Sequence, residues 1–139
     1  MNVSSTSPEF AEIRALWSPR LLSVFRIMLG LLFLAHGLVK VFGYPLGAQP
    51  GQVPLVSLFG LAGVLELVGG TAIVLGLFTR PVAFVLSGQM AVAYFVAHAS
   101  QGFLPILNGG ELAIIYSFAF LYLTAAGPGP WSLDAKRSV

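Results

Sequence analysis

The chain has 139 residues, of which 57% are hydrophobic and 9% charged, and its formal net charge is +2. Soluble domains carry about 25% charged residues, so this composition excludes an ordinary soluble domain. It predicts a single-domain, all-α integral membrane protein. The small net charge argues against a nucleic-acid partner. The absence of cysteine excludes disulfides, thiolate metal ligands and thiol redox chemistry by this chain.

Proline signals and apolar runs divide the chain into five predicted helices. Ser7-Pro8-Glu9 is typical of a helix start, and an apolar face predicts a short interfacial helix over residues 8–17. The next apolar run is too long for a signal peptide and is expected to stay in the membrane. Runs of roughly 20 residues can cross a bilayer, which predicts a four-transmembrane-helix bundle. The predicted transmembrane helices are 19–42, 55–78, 81–99 and 106–126.

The orientation follows from the positive charges outside these runs. Cytoplasmic loops of membrane proteins are enriched in lysine and arginine. Here such residues occupy the N-terminal segment, the second loop and the C-terminal segment, whereas the first and third loops have none. Four crossings would therefore place both termini in the cytoplasm. The residues concerned are Arg14, Arg20, Arg80, Lys136 and Arg137.

Ionisable residues within the apolar runs are the main functional signal, since such residues usually face the bundle interior and pair. Arg26 and Glu66 lie deepest, and we predict that they pair directly or through one water. Arg26 also shares a helical face with Phe33, Gly37 and Lys40. The other polar residues lie towards the outer side. The predicted ligand pocket comprises Arg26, His36, Lys40, Glu66, Tyr94, His98, Asn108 and Glu111.

Structural interpretations of the same residues remain open. Arg26 and Lys40 could extend to opposite interfaces. Asn108 and Glu111 nearly match a helix capping box. On a continuous fourth helix those two residues would share a stripe with Phe118 and Tyr122, and this stripe is expected to face the bundle interior. A metal site built from His36, His98 and Glu111 is a weaker alternative, because three helices supply it without characteristic spacing.

Three segments together resemble the DoxX family of small bacterial membrane proteins. They are RIMLGLLFLAHGLVKVFG (26–43), GLAGVLELVGGTAIVLGLFTRP (60–81) and GGELAIIYSFAFLYLTAAGPGPWSLD (109–134). The resemblance implies a four-span protein of the bacterial inner membrane that is associated with membrane redox chemistry. A related member is the small subunit of a thiosulfate:quinone oxidoreductase. The family's recurring polar positions match Arg26, His36, Lys40, Glu66, Arg80 and Glu111, without an agreed catalytic role.

Two functional hypotheses follow. In the first, the chain is a membrane oxidoreductase component whose interior pocket binds a quinone or a similar hydrophobic redox partner. His36, Lys40 and Glu111 would bind polar oxygens or relay protons, and a partner protein would supply electrons. In the second, the bundle is a non-enzymatic scaffold that contacts other membrane proteins, or further copies of itself, through glycine-rich faces.

Overall fold

The computed structural model describes residues 7–137, and all regular secondary structure in that part of the chain is helical. Four long elements form the body of the protein, and two short helices lie in or after the connections between them. The helices are α1 (Pro8–Phe42), α2 (Leu58–Leu75), α3 (Thr79–Ala93), α4 (Pro105–Asn108), α5 (Glu111–Ala126) and α6 (Leu133–Arg137). A π-helical turn, Tyr94–His98, and a 3₁₀ turn, Ala99–Gln101, prolong α3.

The interfacial segment and the first span form one helix rather than two. α1 runs for 35 residues without interruption, with Pro19 inside it. Ser18-Pro19 predicted the start of a new helix here, but the fixed φ angle of proline is compatible with a helix that continues through it. The length of α1 corresponds to roughly 52 Å, whereas the hydrocarbon core of a bilayer is about 30 Å thick.

Glycines allow α1 and α2 to pack closely. A Cβ atom added at Gly37 would lie 2.6 Å from the main-chain nitrogen of Leu67. One at Gly70 would lie 2.9 Å from the Cα of Leu34. Both distances are too short for a side chain, so the two helices touch through their backbones. These glycines therefore pack inside the protein and are not available to a partner.

The apolar core lies where the four long helices meet. Phe33 of α1 packs edge-on against Phe120 of α5, with ring centroids 4.8 Å apart. α3 and α5 are also joined by two reciprocal hydrogen bonds between Ser87 and Ser117, at 2.8 and 3.0 Å. The buried core consists of Leu29, Phe33, Ile73, Ala83, Leu86, Tyr116, Phe120 and Leu123.

Three helical segments of the described chain are long and apolar enough to cross a membrane. They are Pro8–Phe42, Leu58–Leu75 and Thr79–Gln101. The predicted helix over 106–126 is divided, because Gly109 adopts the left-handed conformation and ends α4. What remains is α5, an apolar helix of 16 residues.

Candidate functional site

Arg26 is fully buried and binds main-chain carbonyls rather than a carboxylate. Its Nε donates to the carbonyl oxygen of Pro128 at 2.7 Å. Its terminal nitrogens donate to the carbonyls of Ile73 and Val74, in the last turn of α2, and to that of Trp131. A helix C-terminus carries unpaired carbonyls and a negative partial charge, which a guanidinium satisfies. Arg26 and these four carbonyls, here called the arginine clamp, fasten α1 to α2 and to the C-terminal segment.

The predicted pairing of Arg26 with Glu66 is therefore wrong. The side chain of Arg26 reaches Val74, which lies eight residues, or roughly 12 Å, along α2 from Glu66. Helical side chains lean towards the N-terminus of their own helix, so Arg26 leans away from the level of Glu66. The alternative that Arg26 extends to the interface is also wrong, because the residue has no exposed surface.

The C-terminal segment covers the end of the bundle that contains the arginine clamp, where further helix caps are found. Asp134 accepts hydrogen bonds at 2.8 Å from the main-chain nitrogens of both Phe78 and Thr79, at the start of α3. Burial alone would raise the pKa of Asp134, but these hydrogen bonds and the charge of Arg137 outweigh it and lower the pKa. Arg80 donates to the carbonyls of Thr124 and Ala125, at the end of α5. The helix ends here are therefore tied together by charged caps.

A second polar group, here called the inner cluster, draws on all four long helices. Its members are His36 and Lys40 of α1, Glu66 of α2, Gln89 of α3 and Tyr116 of α5. Lys40 Nζ forms an ion pair with Glu66 Oε1 at 2.6 Å, and the two side chains are 16% and 4% exposed. Gln89 Nε2 donates to the same carboxylate oxygen at 3.3 Å. The ring of His36 stands edge-on to that of Tyr116, with centroids 5.9 Å apart.

The direction of Lys40 follows from its place near the end of α1. Because helical side chains lean towards the N-terminus, the stem of Lys40 leans back into the bundle and not towards the nearer interface. Gly63 leaves room for it, since a Cβ at Gly63 would lie 2.7 Å from that of Lys40. The alternative that Lys40 extends to the outer interface is therefore wrong. Half-buried His36 contacts Tyr116 within the cluster, so both His36 and Lys40 are oriented inwards.

Some acceptors of the inner cluster have no partner in the described part of the chain. Glu66 Oε2 and Gln89 Oε1 are both buried and make no hydrogen bond. Buried polar atoms are nearly always paired in folded proteins, so such exceptions are informative. The inner cluster thus differs from the arginine clamp, because it holds acceptors that could still take a donor.

The outer candidates Tyr94, His98 and Asn108 form a separate loop cluster. Asn108 donates to the carbonyl of Gly102 at 2.9 Å and to the Tyr94 hydroxyl at 3.4 Å. His98 Nδ1 lies 3.0 Å from the carbonyl oxygen of Asn108. The contacts of Tyr94 and His98 join the π-helical turn after α3 to Asn108, and the contact with Gly102 lies within the connection to α5. The loop cluster therefore supports the turn and lies apart from the Lys40–Glu66 pair.

Glu111 joins neither cluster, and the predicted capping box does not form. α5 begins with Gly110 as its N-cap, and glycine has no side chain that could cap the helix. Asn108 Oδ1 instead accepts from the nitrogen of Gly110, at 2.8 Å. Glu111 is exposed. In residues 7–137 no three histidine or acidic side chains gather as a metal site would require, so His36, His98 and Glu111 are not brought together.

The same glycine break explains an error in the predicted inner face of the fourth helix. Phe118 and Tyr122 are 67% and 58% exposed, although they were expected to face inwards. The break at Gly109 resets the helical phase, so the stripe cannot be extended from Asn108. The buried residues of α5 are Ala113, Tyr116, Phe120 and Leu123.

Gln89 and Tyr116 belong to the inner cluster but were not among the predicted pocket residues. Gln89 was visible as a polar residue within an apolar run, and an amide there needs partners as much as a charge does. Tyr116 carried no separate signal, because tyrosine also packs as an ordinary aromatic residue.

The long apolar helices, with charged groups paired between them, define a helical membrane protein. The DoxX family model matches residues 21–99, and the chain belongs to this family. An uncharacterized protein of Haemophilus influenzae is 43% identical over 124 residues, covering 86% of this chain and 92% of the relative. The inner membrane protein YqjF of Escherichia coli is 32% identical, covering 80% and 87%. An uncharacterized membrane protein of Mycobacterium tuberculosis is 29% identical, covering 96% and 91%. No solved structure matches the chain.

Proposed function

We propose that this protein is the membrane component of a redox system and that its inner cluster binds the polar head of a quinone-like molecule. The observation that carries the proposal is the ion pair between Lys40 and the buried Glu66, at 2.6 Å within the bundle. Holding two charges inside an apolar helical bundle is costly, and such residues mark functional sites. His36 and Tyr116 stand next to this pair and add a titratable ring and a hydroxyl.

Each residue has a distinct part in this proposal. The ammonium of Lys40 has three donors, and only one meets Glu66, which leaves donors for a carbonyl oxygen of the ligand. His36 is half-buried, and its imidazole nitrogens can accept or donate a proton, so it can pass a proton to or from that oxygen. Glu66 fixes the position of Lys40. The chain shows no cofactor-binding motif, so the proposal includes a redox protein partner as the electron source.

The proposed membrane arrangement has four crossings, with α5 as the fourth. α5 is about 24 Å long, and α4 with the adjoining loop would lie at the outer face. The positive charges around Arg80 and α6 support a cytoplasmic location for both termini in the bacterial inner membrane. Reporter fusions after Gly47, Phe78 and Gly109 test this arrangement: activity of a periplasmic reporter is expected at the first and third positions and not at the second.

Calorimetric titration of the detergent-solubilised protein with a short-chain quinone tests the binding proposal. We expect saturable binding by the wild type and about tenfold weaker binding by His36→Ala, which corresponds to roughly 1.4 kcal/mol. His98→Ala is the matched control, because His98 belongs to the loop cluster. Tryptophan fluorescence would be a poor readout, since the main chain of Trp131 contacts Arg26, which lies fourteen residues along α1 from Lys40. Absence of saturable binding, or equal affinity in wild type and His36→Ala, contradicts the proposal.

A scaffold function is the second candidate, and one surface feature favours it. An open groove of about 570 Å³ runs along the first part of α1, between Phe10 and Phe25, and includes Tyr122 of α5. Its lining is mainly apolar and contains Arg14, so another membrane helix could pack there. Under this function a charged substitution at Ile13 would abolish co-purification of a partner protein. Substitutions in the inner cluster would leave that partner bound.

A further inference from the structure

The two unpartnered acceptors of the inner cluster belong to neighbouring side chains. Gln89 Nε2 donates to Glu66 Oε1 at 3.3 Å, and the remaining oxygen of each side chain, Oε1 of Gln89 and Oε2 of Glu66, is buried without a donor. Lys40 does not fill this gap, because its ammonium sits on Glu66 Oε1. One carboxylate oxygen is thus bonded twice and the other not at all. The two oxygens of Glu66 therefore differ, and only Oε2 still lacks a donor.

The orientation of the Gln89 amide is fixed by its surroundings. Its nitrogen lies 3.3 Å from both the carbonyl oxygen of Ala62 and Glu66 Oε1. Both neighbours are acceptors, so a reversed amide would place oxygen against two oxygens. The amide oxygen must therefore point away from them. Gln89 Oε1 is an acceptor in need of a donor, just as Glu66 Oε2 is.

We propose that the inner cluster is a proton-binding site, in which Glu66 takes up a proton at Oε2 and shares it in a hydrogen bond with Gln89 Oε1. A proton suits two atoms without solvent-accessible surface, because it needs no cavity, whereas a water molecule needs both room and several partners. This inference goes beyond the proposed function, since it holds whether or not a quinone binds.

The proton balance of the site is simple. Hydronium in the aqueous phase gives up the proton, one O–H bond forms on Glu66, and the Lys40–Glu66 pair changes from neutral to a net charge of +1. Lys40 remains an ammonium on Oε1 at 2.6 Å. His36 and Tyr116 are the other titratable groups that face the cluster, and half-buried His36 offers the route by which the proton enters.

Infrared difference spectroscopy of the full-length protein in lipid bilayers tests the proposal. Spectra are recorded between mildly acidic and mildly alkaline buffers, without any quinone. We expect the C=O stretch of a protonated, hydrogen-bonded carboxyl group to appear on the acidic side. Glu66→Gln removes this band. Glu111→Gln is the matched control and leaves it in place, because Glu111 is exposed and lies outside the cluster.

The variant Gln89→Leu provides a second test, which leaves the carboxyl group of Glu66 unaltered. Loss of the amide acceptor is expected to move the band to the higher frequency of a carboxyl group with a weaker hydrogen bond. The proposal is overturned if no protonated carboxyl band appears, if the band persists in Glu66→Gln, or if Gln89→Leu leaves its frequency unchanged. If Glu66→Gln does not fold, the result for Gln89→Leu decides. A negative infrared result with saturable quinone binding overturns this inference alone.

Discussion

Helix α1 directs two cations into the bundle fourteen residues apart, Arg26 and Lys40, and the two are held in different ways. Arg26 meets four main-chain carbonyls, which cannot change their charge. Lys40 meets a carboxylate that can be protonated and that keeps one unpartnered oxygen. The first arrangement satisfies its donors permanently, whereas the second can exist in two charge states. The charge of Arg26 therefore has a structural role, whereas the charge of Lys40 belongs to a candidate site for chemistry.

The largest expected effect is the loss of the arginine clamp. Arg26→Leu leaves the carbonyls of Ile73, Val74, Pro128 and Trp131 without their guanidinium donor, and it weakens the attachment of the C-terminal segment to α1. We expect the free energy of unfolding in detergent to fall by at least about 3 kcal/mol. Arg26→Lys should lose less stability than Arg26→Leu, because lysine keeps the positive charge. It should still be less stable than the wild type, because an ammonium cannot reproduce the planar set of guanidinium donors.

Reversible unfolding, monitored by circular dichroism, measures the change in stability of both variants. Arg14→Leu is the control, because Arg14 is an exposed arginine of the same helix. Equal unfolding free energies for Arg26→Leu and Arg14→Leu would remove the contrast between a structural cation and a functional one.

A smaller effect is expected when Lys40 is removed from the inner cluster. Lys40→Met leaves a carboxylate 4% exposed without its counter-ion, and we expect about 2 kcal/mol of destabilisation. The value lies below that for a fully buried pair because Lys40 keeps some contact with solvent. The double variant Lys40→Met/Glu66→Leu should be more stable than Lys40→Met alone, since it removes the uncompensated charge. Additive losses in a double-mutant cycle would show that the pair is not coupled.

The buried faces of α1 and the presence of inward charges could be predicted, because helical periodicity fixes which residues share a face. Phe33 and Gly37 are buried on the same side of α1 as Arg26, as expected from the sequence. Pairing could not be predicted in this way. Depth along a helix gives the position of a Cα atom, whereas Arg26 and Lys40 reach their partners through long side chains that lean towards the N-terminus.

The fourth helix shows a second limit of the sequence. Its inner face depends on helical phase, and one left-handed glycine changes that phase for every residue that follows. Gly109 and Gly110 were read as part of a continuing helix or a cap, so Tyr116 was not assigned to the interior. The arginine clamp was also unpredictable, since its acceptors are main-chain atoms and carry no sequence signal.

The smallest expected effect concerns Asp134, whose carboxylate caps α3 beside the arginine clamp. Asp134→Ala removes both acceptors from the nitrogens of Phe78 and Thr79, and loss of such a cap typically costs about 1 kcal/mol. Hydrogen bonding keeps the pKa of Asp134 below its ordinary value in the folded protein despite partial burial. The ionised cap therefore stabilises the fold above the unfolded pKa, and this contribution is lost as the pH falls through the folded pKa.

The pH dependence separates this cap from the arginine clamp. The stability difference between wild type and Asp134→Ala should be constant near neutral pH and shrink in acid, whereas the loss in Arg26→Leu should persist at both pH values. Thermal unfolding of the three proteins across this range measures both trends. If the Asp134→Ala difference stays constant in acid, the carboxylate charge is not what caps α3. In that case the contacts of Arg26 with the carbonyls of Pro128 and Trp131, and not the Asp134 carboxylate, hold the C-terminal segment.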